Sequence, residues 1–268
     1  LRRMLGVQGV QRDHWSDHFE LGAWGKVQKL VLGGDGQEME LRSLARRGKD
    51  QKWFMVKATL AKEKIEGSLQ DVTEKVKAND RLHFLAEHDP LTGILNRRGI
   101  EKEFDEAVAM LGDGVSMSLA YLDLDRFKLI NDLFGHLAGD EVLKQVCERV
   151  RNMLTEGQSM GRVGGDEFVI VFKGTPIDSA AWVCRGIVDR IGNLPYQIGD
   201  RAFQVKGSIG LMEISESIRV KDAVSVADRA CREAKSGNHG NPVIYDRHSP
   251  VFREREDELR LIARFGTN

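Results

Sequence analysis

The sequence lacks any apolar run long enough to cross a bilayer, and it does not open on a secretory signal, so no membrane segment is expected in it. It also lacks an excess of either charge. Its 40 basic and 41 acidic side chains leave a formal net charge of −1. Without a global positive field a general nucleic-acid binder is not expected, although local basic clusters can still meet phosphate. Cysteine is scarce as well. Cys147, Cys184 and Cys231 are odd in number, far apart, and each falls in an apolar helical pattern. That argues against a disulfide framework or a thiolate metal cage and predicts buried free thiols in a reducing cytoplasm.

What is present is the composition of an ordinary folded protein, 41% hydrophobic and 30% charged over 268 residues, enough for roughly two domains. The first residue is leucine, so the chain reads as a piece of a longer protein whose own membrane attachment is a separate question.

Residues 1–70 are the least regular. A helical stretch from about His14 to Leu32 ends in Gly33-Gly34-Asp35-Gly36. Three segments of strand character follow, Glu38 to Ala45, Lys52 to Ala61 and Ile65 to Asp71, which predicts an antiparallel meander. The stretch Glu66-Gly67-Ser68-Leu69-Gln70-Asp71-Val72-Thr73-Glu74 resembles the end of a PAS sensor domain. The resemblance implies a partial, β-rich sensor segment without the strands that wall the usual ligand pocket.

Residues 71–88 change period. Val72, Val76, Leu82, Leu85 and Ala86 share a stripe on a charged helix, with Asp71 or Thr73 as its cap. This connector helix suits either a parallel coiled coil or packing on its own domain. Pro90 and Gly93 end it and open a second domain, 89–246, in which helical stripes alternate with strands and hairpins. That order predicts an α+β sheet with helices on its faces. Residues 247–268 read as a charged, solvated helix or linker.

Two features of the second domain carry chemistry. The strand beginning at Val115 ends in Asp123-Leu124-Asp125, and residues two apart on a strand face the same way. Further along, Arg162-Val163-Gly164-Gly165-Asp166-Glu167-Phe168 places two glycines and two acids before an apolar run. Paired glycines predict a tight hairpin at positive φ, with Asp166 and Glu167 near its exposed tip. Acids at a strand end and at a hairpin tip suit Mg²⁺, which takes few carboxylates and completes its shell with water and phosphate oxygens.

These residues belong to longer runs: the opening Asp89-Pro90-Leu91-Thr92-Gly93 with Asn96-Arg97-Arg98, then Tyr121 to Asp132, Gly135-His136, Gly139-Asp140, Arg162 to Phe168, and Ser208-Ile209-Gly210. Together they resemble the GGDEF family of diguanylate cyclases, which join two GTP molecules into cyclic di-GMP and release pyrophosphate. The resemblance implies a palm-like, mainly antiparallel central sheet flanked by helices. It implies that Asp123, the backbone carbonyl of Leu124, and Asp166 hold Mg²⁺ (or Mn²⁺), with Glu167 beside the metal or the reacting hydroxyl and Asp125 structural. Asn131 and Asp140 become readers of the guanine edge, His136, Phe127 and Leu143 line that pocket, and Gly164 and Gly165 let the ligand approach. Lys128 and Lys235 become cations for the phosphates. Each domain holds one GTP, so the 3′-hydroxyl of one attacks the α-phosphate of the other across a homodimer, with Asp166 or metal-activated solvent taking the proton.

Two positions depart from the family pattern. Thr155 and Gln158 replace the Arg and Asp of an inhibitory product site, so feedback through that site is not expected. His239 stands where a phosphate-binding Arg is usual, and a neutral imidazole is the poorer partner. This keeps a second expectation open, a GTP-binding regulatory module without strong catalysis, attached in a PAS-GGDEF-EAL protein to an EAL phosphodiesterase domain.

Overall fold

The computed structural model describes residues 15–33, 38–44, 50–61, 64–112, 115–214, 218–237 and 240–249. The chain divides into two units between Phe84 and Leu85. The expected tail helix (residues 252–265) and His239 both lie outside the described residues.

In the first unit, α1 (Ala23–Leu32) covers a sheet of β1 (Glu38–Arg42), β2 (Trp53–Ala61) and β3 (Lys64–Asp71) in the order β1-β2-β3. Both pairings are antiparallel, as a meander requires. Ala23, Val27 and Leu30 recur at helical spacing and bury against Leu41, Phe54 and Val56. Phe19 meets Phe54 edge to face at 5.5 Å. The long helix expected up to Leu32 is broken. Trp15–His18 is a short 3₁₀ turn, Phe19 bridges to Ser43, and Gly22 takes φ +84°. Pairing with a strand and a left-handed residue both end helical hydrogen bonding. The helix α2 (Thr73–Glu87) starts where the Thr73 N–H and hydroxyl donate to Asp71 Oδ1, at 3.0 and 2.6 Å. Thr73 is its one buried residue, and Leu82 and Leu85 of the expected stripe are exposed.

The second unit is an α+β fold on a six-stranded mixed sheet. Its strands are β4 (Leu95–Asn96), β5 (Met117–Asp125), β6 (Gln158–Arg162), β7 (Glu167–Lys173), β10 (Lys206–Glu213) and β11 (Val243–Ile244). They lie in the order β11-β10-β5-β7-β6-β4. The four inner strands pair antiparallel and the two short outer ones parallel, which agrees with the mainly antiparallel expectation. The strand expected from Phe203 to Ile214 is split. Phe203 ends β9 (Arg201–Phe203), which pairs with β8 (Tyr196–Ile198) in a separate hairpin, before β10 begins.

Period-two alternation along β5 sorts the core. Ala120, Leu122 and Leu124 face α5 (His136–Arg151) and α6 (Ile177–Gly192), whereas Met117, Leu119 and Tyr121 face α3 (Arg97–Ala109) and α7 (Val220–Gly237). Large side chains such as Phe104, Phe168 and Phe172 are fully buried, each worth about 1.5–3 kcal/mol over exposure. All three cysteines are buried and free, as expected. The same alternation turns Asp123 and Asp125 towards the α7 face.

Candidate active site at the end of strand β5

Burial on both faces makes β5 the rigid centre of the sheet, and its last residues emerge beside the β6–β7 hairpin. Asp123 lies directly opposite Glu167 in register, and the Leu124 N–H donates to the Asp166 carbonyl at 3.2 Å. The hairpin is thereby stitched to the strand end, and the Asp123 and Asp166 carboxylates come close enough to repel each other.

The hairpin exists, but not as the tight left-handed turn expected. Val163 to Asp166 connect the strands, the N–H groups of Val163 and Gly164 donate to the Glu167 carbonyl, and neither Gly164 nor Gly165 has positive φ. The absence of a side chain at Gly164 serves a different end: it leaves room for the Glu167 carboxylate, which a β-carbon there would displace. Glu167 accordingly folds back under the loop instead of standing at the tip. It accepts a hydrogen bond from Tyr121, its diagonal neighbour across the strands. Burial and this bond raise the Tyr121 phenol far above its ordinary pKa.

Two arginines hold the loop. Arg162 donates to the carbonyls of Gly164 (3.1 Å) and Gly165 (2.7 Å), and to Asp89 Oδ1 (3.2 Å). Arg97 donates to the Val163 carbonyl at 2.5 Å. The Thr92 N–H and hydroxyl in turn fix Asp89, at 2.9 and 2.6 Å. In the sequence the opening Asp-Pro-Leu-Thr stretch and Arg162 stand only as signature positions, and their joint role in holding the hairpin appears in the fold. A structural role for Asp89 was readable from its spacing to Thr92, which suits an Asx turn.

Electrostatics concentrate at the acids. Burial, joined by repulsion from Asp166 and Glu167, raises the Asp123 carboxyl above the ordinary range despite its bond to Lys235. Asp166 is raised too, chiefly by burial with Glu167 adding, against the fields of Lys235 and Arg162. Lys235, near the end of α7, reaches Asp123 Oδ1 at 2.5 Å. Burial alone would lower its pKa, but the bonded Asp123 outweighs that and raises it. Lys235 gets there because α7 packs its alanine stripe onto β10: a β-carbon at Gly210 would strike the backbone of Ala227, Ala230 and Cys231. Asp125 accepts from the Ser208 hydroxyl at 2.9 Å, which agrees with a structural role.

The remaining predicted residues sit on α4 (Phe127–Phe134) and α5. Arg126, the one described non-glycine with positive φ (56°), turns the chain out of β5 into α4. Lys128 and His136 are exposed, Asn131 and Asp140 half-buried. Asn131 lies against Gly139 so closely that a β-carbon at 139 would overlap its side-chain oxygen. The two helices therefore meet at Asn131 and carry Asp140 beside it. Phe127 and Leu143 are buried in the core beneath them.

The sequence profile of the family described as "Diguanylate cyclase, GGDEF domain" matches residues 86–241, more than half of the chain. A probable diguanylate cyclase, DgcE, of Escherichia coli (strain K12) is 31% identical over 180 residues, 66% of this chain and 16% of that protein. PdeR of the same organism, a cyclic di-GMP phosphodiesterase, is 33% identical over 188 residues, 69% of this chain and 27% of that protein. The chain thus spans well under a third of the length of these two relatives. Among solved structures, the diguanylate cyclase SiaD of Pseudomonas aeruginosa, in complex with its activator SiaC, matches with a TM-score of 0.57 at 31% identity. That match covers 64% of this chain and 67% of that one. Matched by the family profile across most of its second unit and similar in fold to a solved cyclase, the chain belongs to the GGDEF, or diguanylate cyclase, domain family.

Proposed function

We propose that the second unit binds GTP and condenses two GTP molecules into cyclic di-GMP and pyrophosphate, each of two paired chains contributing one nucleotide. The observation that carries this reading is the cluster of Asp123, Asp166 and Glu167 at the end of β5, closed by Lys235, with Asn131 and Asp140 placed on the neighbouring helices.

The donor set fits a divalent cation. Asp123 and Asp166 are half-buried carboxylates held above their ordinary pKa by burial and by like charge, with one lysine to offset them. No group of three or more His, Cys, Asp or Glu capable of holding a metal occurs among the described residues. Mg²⁺ needs no such cage, since one or two carboxylates and substrate phosphates suffice. Asp123, Asp166 and the Leu124 carbonyl would hold Mg²⁺ or Mn²⁺, which when bound polarises the α-phosphate.

The chain's own groups do the rest. Asn131 and Asp140 satisfy both donors and acceptors of the guanine edge, a pattern adenine would leave unpaired. Lys235 and Lys128 offset charge that develops on the phosphates. Asp166 accepts the proton of the attacking 3′-hydroxyl, and Glu167 stands beside it. One domain offers one nucleotide, so reaction needs two domains face to face.

A second reading, a GTP-binding module that regulates an attached domain, draws on His239 in the sequence and on the match to PdeR. Incubating the chain with GTP and Mg²⁺ separates the two. Formation of cyclic di-GMP and pyrophosphate, abolished by Asp166→Ala, is the expected result. Saturable GTP binding with no turnover at high protein concentration would favour the regulatory module.

A further inference from the structure

An open groove of about 850 Å³ runs from Lys235 along the outer side of α4 to Phe203. Its polar end gathers Asp125, Arg126, Lys206 and Lys235, and its other end is apolar, with Leu129 and Phe134. The cations come from three separate pieces of the fold: the β5–α4 junction, the first residue of β10, and the end of α7.

Lys206 is exposed and lies directly opposite Asp125 across the β5–β10 pair. It shares a face of β10 with Ser208 and Gly210, which meet Asp125 and α7 respectively, so it stands on the same side of the sheet as Lys235. The bland role for such a lysine is a cross-strand ion pair with Asp125. That pair does not form: Asp125 is engaged by Ser208, and neither Lys206 nor Arg126 makes an ion pair with any described residue. Lys235 is already offset by its ion pair with Asp123, so Arg126 and Lys206 against Asp125 leave this end of the groove with one positive charge in excess, beside the N-terminus of α4, whose dipole adds to the same field.

We propose that Lys206 is a phosphate-contacting residue, forming with Lys235 a two-pronged cationic clamp on the polyphosphate of a guanine nucleotide. This rests on the reading of the second unit as a GTP site and extends that site onto β10. Lysine suits the task because its flexible stem lets the ammonium follow a polyphosphate chain.

The test measures affinity of the whole chain for a non-reacting GTP analogue, for inorganic pyrophosphate and for guanosine, each with Mg²⁺, in the native protein, Lys206→Ala and Lys206→Arg. Expected are about a tenfold loss of affinity for the analogue and for pyrophosphate in Lys206→Ala, no change for guanosine, and recovery in Lys206→Arg, as for loss of one charge-assisted contact. In turnover, KM for GTP rises by the same factor while kcat stays within about twofold. Analogue binding equal in native and Lys206→Ala chains would overturn the clamp and leave the GTP reading standing. Pyrophosphate binding that depends on Lys206, without binding of the analogue, would support the clamp and sink the GTP reading. Binding of neither ligand by the native chain would overturn both.

Discussion

Arg162 and Asp89 form an ion pair at 3.2 Å although they stand 73 residues apart, with side chains only 16% and 18% exposed. The same guanidinium grips the carbonyls of Gly164 and Gly165, so the start of the domain and the hairpin that carries Asp166 and Glu167 are locked to one another. A planar fork with several donors can do this, and an ammonium cannot.

Arg162→Lys should therefore lose activity on the order of 10²-fold by loosening the acids, while destabilising the domain by only about 1–2 kcal/mol. Turnover assays beside thermal melts check the split. Asp89→Asn tests the other partner. Its hydrogen bonds to Thr92 and the field of Arg162 outweigh burial and hold Asp89 below the ordinary carboxyl value of 3.8. A lowered acid stabilises the fold above that value, and the gain is lost as pH falls through the lower folded pKa. Asp89→Asn should be less stable than native at pH 7, with the gap closing in acid.

Asp123 and Asp166 behave in the opposite sense. Both are raised above 3.8, so their ionisation opposes folding at neutral pH and that penalty disappears on acidification. Asp166→Asn should melt higher than native at pH 7 without metal, and the advantage should fade as pH falls. Metal must displace protons from these acids, so the Mg²⁺ needed for half-maximal turnover should climb at a higher pH than ordinary aspartates would give. Metal titrations across pH would show it.

Gly210 sets the approach of α7. Gly210→Val should push that helix off β10, cost about 1–3 kcal/mol or more, and carry Lys235 away from Asp123. Thermal unfolding and the KM for GTP should both report it. An unchanged KM in a folded variant would contradict the link between this glycine and the lysine.

Product feedback should be absent. Gln158 Oε1 accepts the Thr155 N–H at 3.1 Å, so this pair closes its own turn and offers no charged group to a phosphate. Turnover in the presence of added cyclic di-GMP should match turnover without it, and Thr155→Ala should leave this unchanged.

Much of the fold was legible because it rests on local period. The apolar runs of β5 and β7, the alanine stripe of α7 and the meander of the first unit all stand in the sequence with their proper spacing. The failures have tertiary causes. Phe19 left the helical pattern to bridge Ser43, and Phe203 left the β10 run to pair with Tyr196. At the hairpin the paired glycines predict positive φ, yet neither adopts it, and the Glu167 carboxylate fills the space beside Gly164.

The candidate site divides along the same line. Sequence alone determined which groups exist and how they are spaced within each element: acids at the end of a strand, two acids after a glycine pair, an amide and an acid on successive helices, and a lysine near the end of α7. Only the tertiary structure decided which of them meet. Asp123 with Lys235, Asp89 with Arg162 and Tyr121 with Glu167 are partners across strand order and helix packing, and no local period encodes a pairing between elements. Lys206 is the sharpest instance. In the sequence it is one lysine among many, and it became a candidate phosphate ligand only when β10 was laid beside β5 with its first residue facing Asp125.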